Sequence, residues 1–283
     1  MQIQQIKIND LEFDCRVSGD QQNELVILLH GFPETSHMWI ELMNTLTSMG
    51  LFCVAPNMRG YSKNACPKGV KNYKMKYLVQ DIVDIANSFH KDKFHLIGHD
   101  WGAVIGWNIV HDYKERIISW TGLSVPHIEA FFKALETDKE QQQKSSYIKL
   151  FSLPFIPEMR IRKNDFEKFR NLWKNSTPEE VTDYLSVFRN KKSLTAALNY
   201  YRANVGKGKT TPIGNIEIPT LFIWGNKDLA IGGVSVENGH QYMKGDYIYK
   251  EVNGGHWLMQ TNYTEVTTAI TEHISKYKTV LVD

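Results

Sequence analysis

Gly98-His99-Asp100-Trp101-Gly102 follows the apolar run Lys93-Phe94-His95-Leu96-Ile97 and precedes the helix-like Ala103-Val104-Ile105-Gly106-Trp107-Asn108-Ile109-Val110. A Gly-x-nucleophile-x-Gly pentapeptide at a strand-to-helix junction predicts a nucleophile elbow, in which small flanking residues permit a tight turn that lifts the central side chain above the sheet. The central residue is Asp100. A serine would need a neighbouring base to become nucleophilic, whereas a carboxylate of pKa near ~3.9 is already ionised at neutral pH. Its attack on an ester or amide gives a mixed anhydride, uphill from the substrate, which disfavours esterase or peptidase action. Attack on an sp³ carbon bearing a leaving group gives an alkyl ester, which water can cleave at the aspartyl carbonyl. So short a pattern recurs by chance and is also met as a plain loop, so the reading depends on strand context and on partners elsewhere.

The flanking chain supplies that context. Leu25-Val26-Ile27-Leu28-Leu29 and Leu51-Phe52-Cys53-Val54-Ala55 are continuous apolar runs of the kind found in strands buried on both faces of a parallel sheet. The first ends at His30-Gly31-Phe32-Pro33-Glu34, and a loop at the carboxyl end of a central strand borders the ligand crevice of an open α/β sheet. There Phe32 can offer its N–H to a developing oxyanion, together with the N–H of Trp101; the plain alternative is a helix-entry turn. Ser36 to Met49 carries helical periodicity and stops at Gly50, and Lys74 to His90 reads as a second helix. Gln4–Ile8 and Glu12–Val17 read as an antiparallel edge hairpin, and Arg59, in the loop after the second buried run, reads as a structural cation.

After the strand Ile117 to Leu123 the pattern changes. Strand-like runs stop until about Pro212, and helical segments take over at Glu129–Glu136, Thr177–Phe188 and Ser193–Val205. Thr177-Pro178-Glu179-Glu180 combines a cap, a proline at the first helical position and a glutamate at the third. An all-helical stretch inside an alternating β/α chain predicts a lid inserted over the crevice. The expected division is a core of residues 1–126, a helical cap of 127–212 and a second core part of 213–283. The core resumes at Ile218-Pro219-Thr220-Leu221-Phe222-Ile223-Trp224-Gly225-Asn226-Lys227-Asp228, a strand whose end delivers an acid, and Tyr247 to Val252 is a final strand followed by His256.

Bulk properties bound the remaining choices. The chain has 283 residues, 42% of them hydrophobic, and a net charge of +2. That is ample for one large core, and it gives no pointer to nucleic acid or a membrane surface. Cys15, Cys53 and Cys66 show no paired spacing and read as reduced thiols. The start of the sequence lacks a basic region followed by a long apolar stretch, so a cytoplasmic enzyme is expected.

Nucleophile, acid and histidine in that order, each after a strand, match the chain order of the α/β-hydrolases, with Asp228 orienting the His256 imidazole. The sequence resembles the epoxide hydrolase family of that superfamily over essentially its whole length, through His30-Gly31-Phe32-Pro33-Glu34, Met58-Arg59-Gly60-Tyr61, Gly98-His99-Asp100-Trp101-Gly102 and Gly255-His256-Trp257. Two lid segments resemble those that carry the family's epoxide-binding tyrosines: Ser145-Ser146-Tyr147-Ile148-Lys149-Leu150-Phe151-Ser152-Leu153-Pro154 and Asn199-Tyr200-Tyr201-Arg202. The resemblance therefore implies an α/β-hydrolase fold with a mostly parallel sheet and a helical cap. It implies Asp100, Asp228, His256, Tyr147 and Tyr201 as catalytic residues, Phe32 and Trp101 as the oxyanion hole, and Phe32, Trp101, Tyr147 and Tyr201 around the substrate. Hydrolysis of a small apolar epoxide by water, with no cofactor or metal and no membrane or nucleic-acid partner, as a monomer or homodimer, completes the expectation.

Asn57 and Lys63-Asn64 depart from the family pattern, as does Ser152, and Gly232-Gly233 reads as a loose pair just after the acid. Phe131, Phe132, Trp173 and Phe188 imply an apolar pocket under the lid. Haloalkane dehalogenase is the nearest alternative, since it shares the triad but needs halide-binding N–H donors in place of phenols. Phe32 stands where one dehalogenase group carries an asparagine, and Trp101 interrupts the Asp-Arg-Gly of fluoroacetate dehalogenases. A catalytically silent ligand receptor on the same fold is the alternative from another class.

Overall fold

A computed structural model describes residues 1–206 and 211–278. Eight strands form one sheet: β1 (Gln2–Ile8), β2 (Leu11–Ser18), β3 (Leu25–Leu29), β4 (Phe52–Pro56), β5 (Phe94–His99), β6 (Ile117–Leu123), β7 (Thr220–Gly225) and β8 (Tyr247–Val252). Their order is β1-β2-β4-β3-β5-β6-β7-β8. The β1-β2 hairpin is antiparallel and joins β4 antiparallel, while every pairing from β4 to β8 is parallel. Every residue of β3, β4, β5 and β7 is buried, which explains their unbroken apolar runs: helices cover both faces.

Helices α1 (Ile40–Ser48), α2 (Met75–Ser88) and α3 (Trp101–Asp112) connect the first half of the sheet. Between β6 and β7 lie α4 (Ile128–Thr137), α5 (Lys139–Lys144), α6 (Tyr147–Phe151), α7 (Ile156–Leu172), α8 (Pro178–Phe188) and α9 (Lys191–Asn204). The second half of the sheet is completed by α10 (Gly233–Gly239), α11 (Leu258–Thr261) and α12 (Tyr263–Tyr277). The capping box expected at Thr177 is present: Thr177 Oγ1 accepts from the Glu180 N–H and Glu180 returns a bond to the Thr177 N–H. α7 was not legible in the sequence because it is broken. Lys163 is extended and Asn164, Asp165 and Phe166 lie in the left-handed region, which interrupts the 3.6-residue period.

The chain turns back on itself around β3. From β3 it moves one place toward the hairpin to form β4, and then crosses to the other side of β3 to form β5. The crevice opens at such a reversal, beyond the carboxyl ends of the strands. Leu29 pairs with Gly98, so the loops after β3 and β5 leave the sheet side by side. Gly225 pairs with Val252, which does the same for the loops carrying Asp228 and His256.

Candidate active site

Asp100 has φ 52° and ψ −118°, outside the regions an L residue prefers. Such a conformation costs on the order of 1–3 kcal/mol and persists only where the surroundings fix it. They do so here through close approach. A Cβ at Gly102 would lie 2.1 Å from the Leu29 carbonyl oxygen, and one at Gly31 would lie 2.3 Å from the Asp100 Cβ. The bare backbone at Gly31 is what lets the β3 loop reach the carboxylate. Phe32 N–H then donates to Asp100 Oδ1 at 2.7 Å.

The other oxygen faces His256. His256 Nε2 is 3.5 Å from Asp100 Oδ2, and His256 Nδ1 is 2.8 Å from Asp228 Oδ2. Asp228 is fully buried, and its second oxygen accepts the N–H groups of Ala230 and Ile231 at 2.7 and 3.0 Å. Those bonds fix the carboxylate plane and leave one oxygen for the imidazole. The electrostatics follow from this geometry. Burial alone would lower the His256 pKa, but the Asp228 and Asp100 charges outweigh it and push it up to about 10. Burial alone would raise Asp100, and the bond to His256 together with its charge holds it below the ordinary carboxylate value. The resting site is an ion triad. Because Asp100 helps keep His256 protonated, Asp100→Asn should make the imidazole lose its proton at lower pH. A ring-proton NMR titration of His256 that does not move in that variant would contradict the coupling.

Tyr147 and Tyr201 face the same carboxylate from above. Tyr147 opens α6, Tyr201 lies near the end of α9, and their rings are 6.2 Å apart. The Trp101 indole packs edge-on against Tyr201, ring centroid to ring centroid at 5.0 Å. Burial raises both phenol pKa values well above 10, and the nearby Asp100 charge adds to the effect, so each hydroxyl stays protonated and available as a donor. Tyr200, one residue away on the helix, points elsewhere and donates to the Arg59 carbonyl at 2.7 Å.

Two cavities share Asp100, Tyr147, Tyr201, Ala230 and His256 in their walls. One extends under α4 between Val104, Ile128, Phe131 and Phe132, and the other runs past Phe32, Phe151, Leu172 and Trp257. The expectation that all four lid aromatics line the pocket is corrected. Phe131 and Phe132 do, but Trp173 and Phe188 are consumed in packing, stacked on one another and against Phe169. Gly232-Gly233 is also less loose than its composition suggests. Gln141 from α5 accepts the Gly232 N–H at 2.8 Å and donates to the Ala230 carbonyl at 2.8 Å, clamping the acid loop to the inserted helices. Arg59 is the structural cation expected, in a two-pronged pair with Asp81 at 2.6 Å.

Sequence reasoning missed one buried network. His99 Nε2 and Ser124 Oγ both bond the His256 carbonyl, at 2.9 and 2.8 Å. His99 Nδ1 in turn lies 3.3 Å from Glu34 Oε2, and Gln260 Nε2 donates to Glu34 Oε1 at 2.8 Å. Burial raises the Glu34 pKa against the opposing pull of His99. The network holds the backbone that carries His256. Its signal was present: His99 ends a wholly buried strand, where an ionisable side chain must find a partner.

Comparison with known proteins places the family of the chain. The model of the alpha/beta hydrolase fold family matches residues 24–263. Epoxide hydrolase 4 of Homo sapiens is 31% identical over 90% of this chain and 73% of its own length. The chain belongs to the epoxide hydrolases of the α/β-hydrolase family. Epoxide hydrolase 3 of Xenopus tropicalis is 29% identical to this hydrolase over 96% of the chain and 77% of that protein. The crystal structure of a Bacillus megaterium epoxide hydrolase in complex with an inhibitor superposes with a TM-score of 0.88 at 25% identity, covering 96% of this chain and all of that one. Among the described residues of this hydrolase, no helix is long and apolar enough to cross a membrane, and no group of side chains is arranged to hold a metal ion.

Proposed function

We propose that this hydrolase opens epoxides to vicinal diols through an alkyl ester on Asp100. The observation that carries the reading is the pairing of two protonated phenols, Tyr147 and Tyr201, over a carboxylate whose oxygens are already assigned different tasks. Oδ1 is held by the Phe32 N–H, so Oδ2 attacks the epoxide carbon. The C–O bond breaks, and the ring oxygen takes a proton from one phenol. An alkoxide is far more basic than phenolate, which makes a buried phenol a competent acid here.

Ester formation removes the Asp100 charge that helped hold the proton on His256. The imidazolium then returns a proton to the phenolate, and neutral His256 takes one from water. The hydroxide adds to the aspartyl carbonyl carbon, and charge develops on Oδ1, where the Phe32 N–H already points, with the Trp101 N–H at the start of α3 as the second donor. Collapse expels the diol oxygen, which leaves with the proton from His256. The carboxylic acid left on Asp100 protonates His256 and restores the ion triad. Residues 127–212 act as the cap in this scheme, since they contribute both phenols and the apolar wall around the ring substituents.

Haloalkane dehalogenation shares the triad and is the second reading, because Trp101 could be asked to bind a halide. Against it stands the edge-on packing of that indole on Tyr201, which sets a phenol beside it over the carboxylate. The test is turnover on a panel pairing styrene oxide and aliphatic epoxides with bromoalkanes, with diol and halide measured separately. Wild type should yield diol, and Tyr201→Phe should lose on the order of 10²-fold of it. Tyr200→Phe should leave turnover near wild type while losing the bond to Arg59, a cost of about 1 kcal/mol in stability. Halide release indifferent to Tyr201 would favour dehalogenation, and tight epoxide binding without turnover would favour a receptor.

A further inference from the structure

Exposed apolar side chains cluster at one end of the inserted helices. Leu153, Phe155, Ile156 and Met159 are 43, 83, 40 and 68% exposed, in the link from α6 and the first turn of α7. Pro154 is exposed among them, and Val70 shares a surface groove with Pro154 and Phe155. Phe155 holds a left-handed φ of 61° with its side chain in solvent. Single exposed apolar residues are ordinary, but a contiguous set at a protruding turn marks a contact.

The charge around this tip is one-sided. From Lys149 to Lys174 there are seven Lys and Arg against three Asp and Glu. All three carboxylates are engaged: Glu158 with Arg202 at 2.9 Å, Asp165 with Arg170 at 2.6 Å and Arg189 at 3.2 Å, and Glu167 with Asn164 Nδ2 at 2.7 Å. Arg160 and Lys163 are exposed and have no ion pair among the described residues. Arg162 and Lys191 line the groove, and Lys68 and Lys71 flank Val70. The net charge of +2 for the whole chain averages this distribution away.

We infer that this tip is a docking surface for the anionic face of a lipid bilayer, with Phe155, Ile156 and Met159 entering the interface and the surrounding Lys and Arg meeting headgroup phosphates. A narrow apolar point rimmed by cations suits a fluid anionic surface, whereas a stable protein partner needs a broader apolar core ringed by paired polar groups. The tip is joined to the substrate path: Phe151, just before it, and Leu172, at the far end of α7, both line the second cavity. Docking there sets that cavity beside the phase in which apolar molecules accumulate. This advantage rests on the epoxide reading, while the docking itself does not.

Co-sedimentation of the whole protein with vesicles tests it, using phosphatidylcholine alone or with about 30 mol% phosphatidylglycerol. The protein should bind the anionic vesicles at least about tenfold more strongly than the neutral ones and release them at about 0.5 M NaCl. Phe155→Ser/Met159→Ser and Arg160→Glu/Lys163→Glu should each lower the bound fraction about tenfold, with turnover of dissolved styrene oxide unchanged. No binding, equal binding to both vesicles, or variants that bind like wild type would overturn the proposal. So would a dimer in light scattering that Phe155→Ser/Met159→Ser dissociates, which would assign the face to a second copy of the chain. Vesicle binding by a protein that turns over no epoxide would retain the docking surface and remove the epoxide reading alone.

Discussion

His256→Gln should arrest the enzyme after a single chemical event. Glutamine keeps an N–H donor for Asp228 but cannot take a proton from water, so ester formation proceeds and its hydrolysis stalls. Steady-state diol formation is expected to fall about 10⁴-fold. Intact-mass spectra after exposure to an epoxide should show the protein heavier by one substrate molecule, and peptide mapping should place the addition on Asp100. The arrangement favours the trap, because Asp228 is buried and fixed by two backbone N–H groups, so the loop does not depend on the imidazole for its shape. A variant that keeps its diol activity, or that shows no adduct over many equivalents of substrate, would rule out the two-step scheme.

Asp100→Asn should remove both steps. The amide oxygen is a poor nucleophile, so no ester forms, and diol production should drop by at least about 10⁴-fold with no mass change. The elbow should survive, since asparagine tolerates positive φ and its carbonyl can still accept the Phe32 N–H. Combined with His256→Gln, this substitution should abolish the adduct. Retention of more than about 1% of wild-type turnover would mean that water attacks the epoxide directly under His256, with Asp100 only an electrostatic aid.

Much of this architecture was legible because parallel strands buried on both faces leave long apolar runs, and because the strand ends carry the chemistry. β3, β4, β5 and β7 stand out in the sequence; Asp100 and Asp228 lie just beyond the ends of β5 and β7, and His256 beyond β8. The edge strand β8 (Tyr247–Val252), half exposed, was also read as a strand. Tyr147 and Tyr201 were not readable from periodicity, since a packed tyrosine and a donor tyrosine look alike in sequence, and only the family motifs separated Tyr201 from Tyr200. The broken α7 and the true partners of Trp173 and Phe188 stayed hidden because aromatic residues signal burial without saying against what. The Glu34-His99-Ser124 network behind His256 lay in residues carried by separate loops and strand ends, whose meeting depends on the strand order.

The bond from the Phe32 N–H to Asp100 Oδ1 gives the carboxylate a memory. In solution the two oxygens of a carboxylate are equivalent, but here one is anchored and the other faces the base. In the proposed scheme each cycle hands the unanchored oxygen to the diol and replaces it from water. The anchored atom stays, unless the carboxylate flips between cycles. An enzyme molecule would thus carry, through any number of turnovers, one oxygen from its own synthesis beside one borrowed from the latest water.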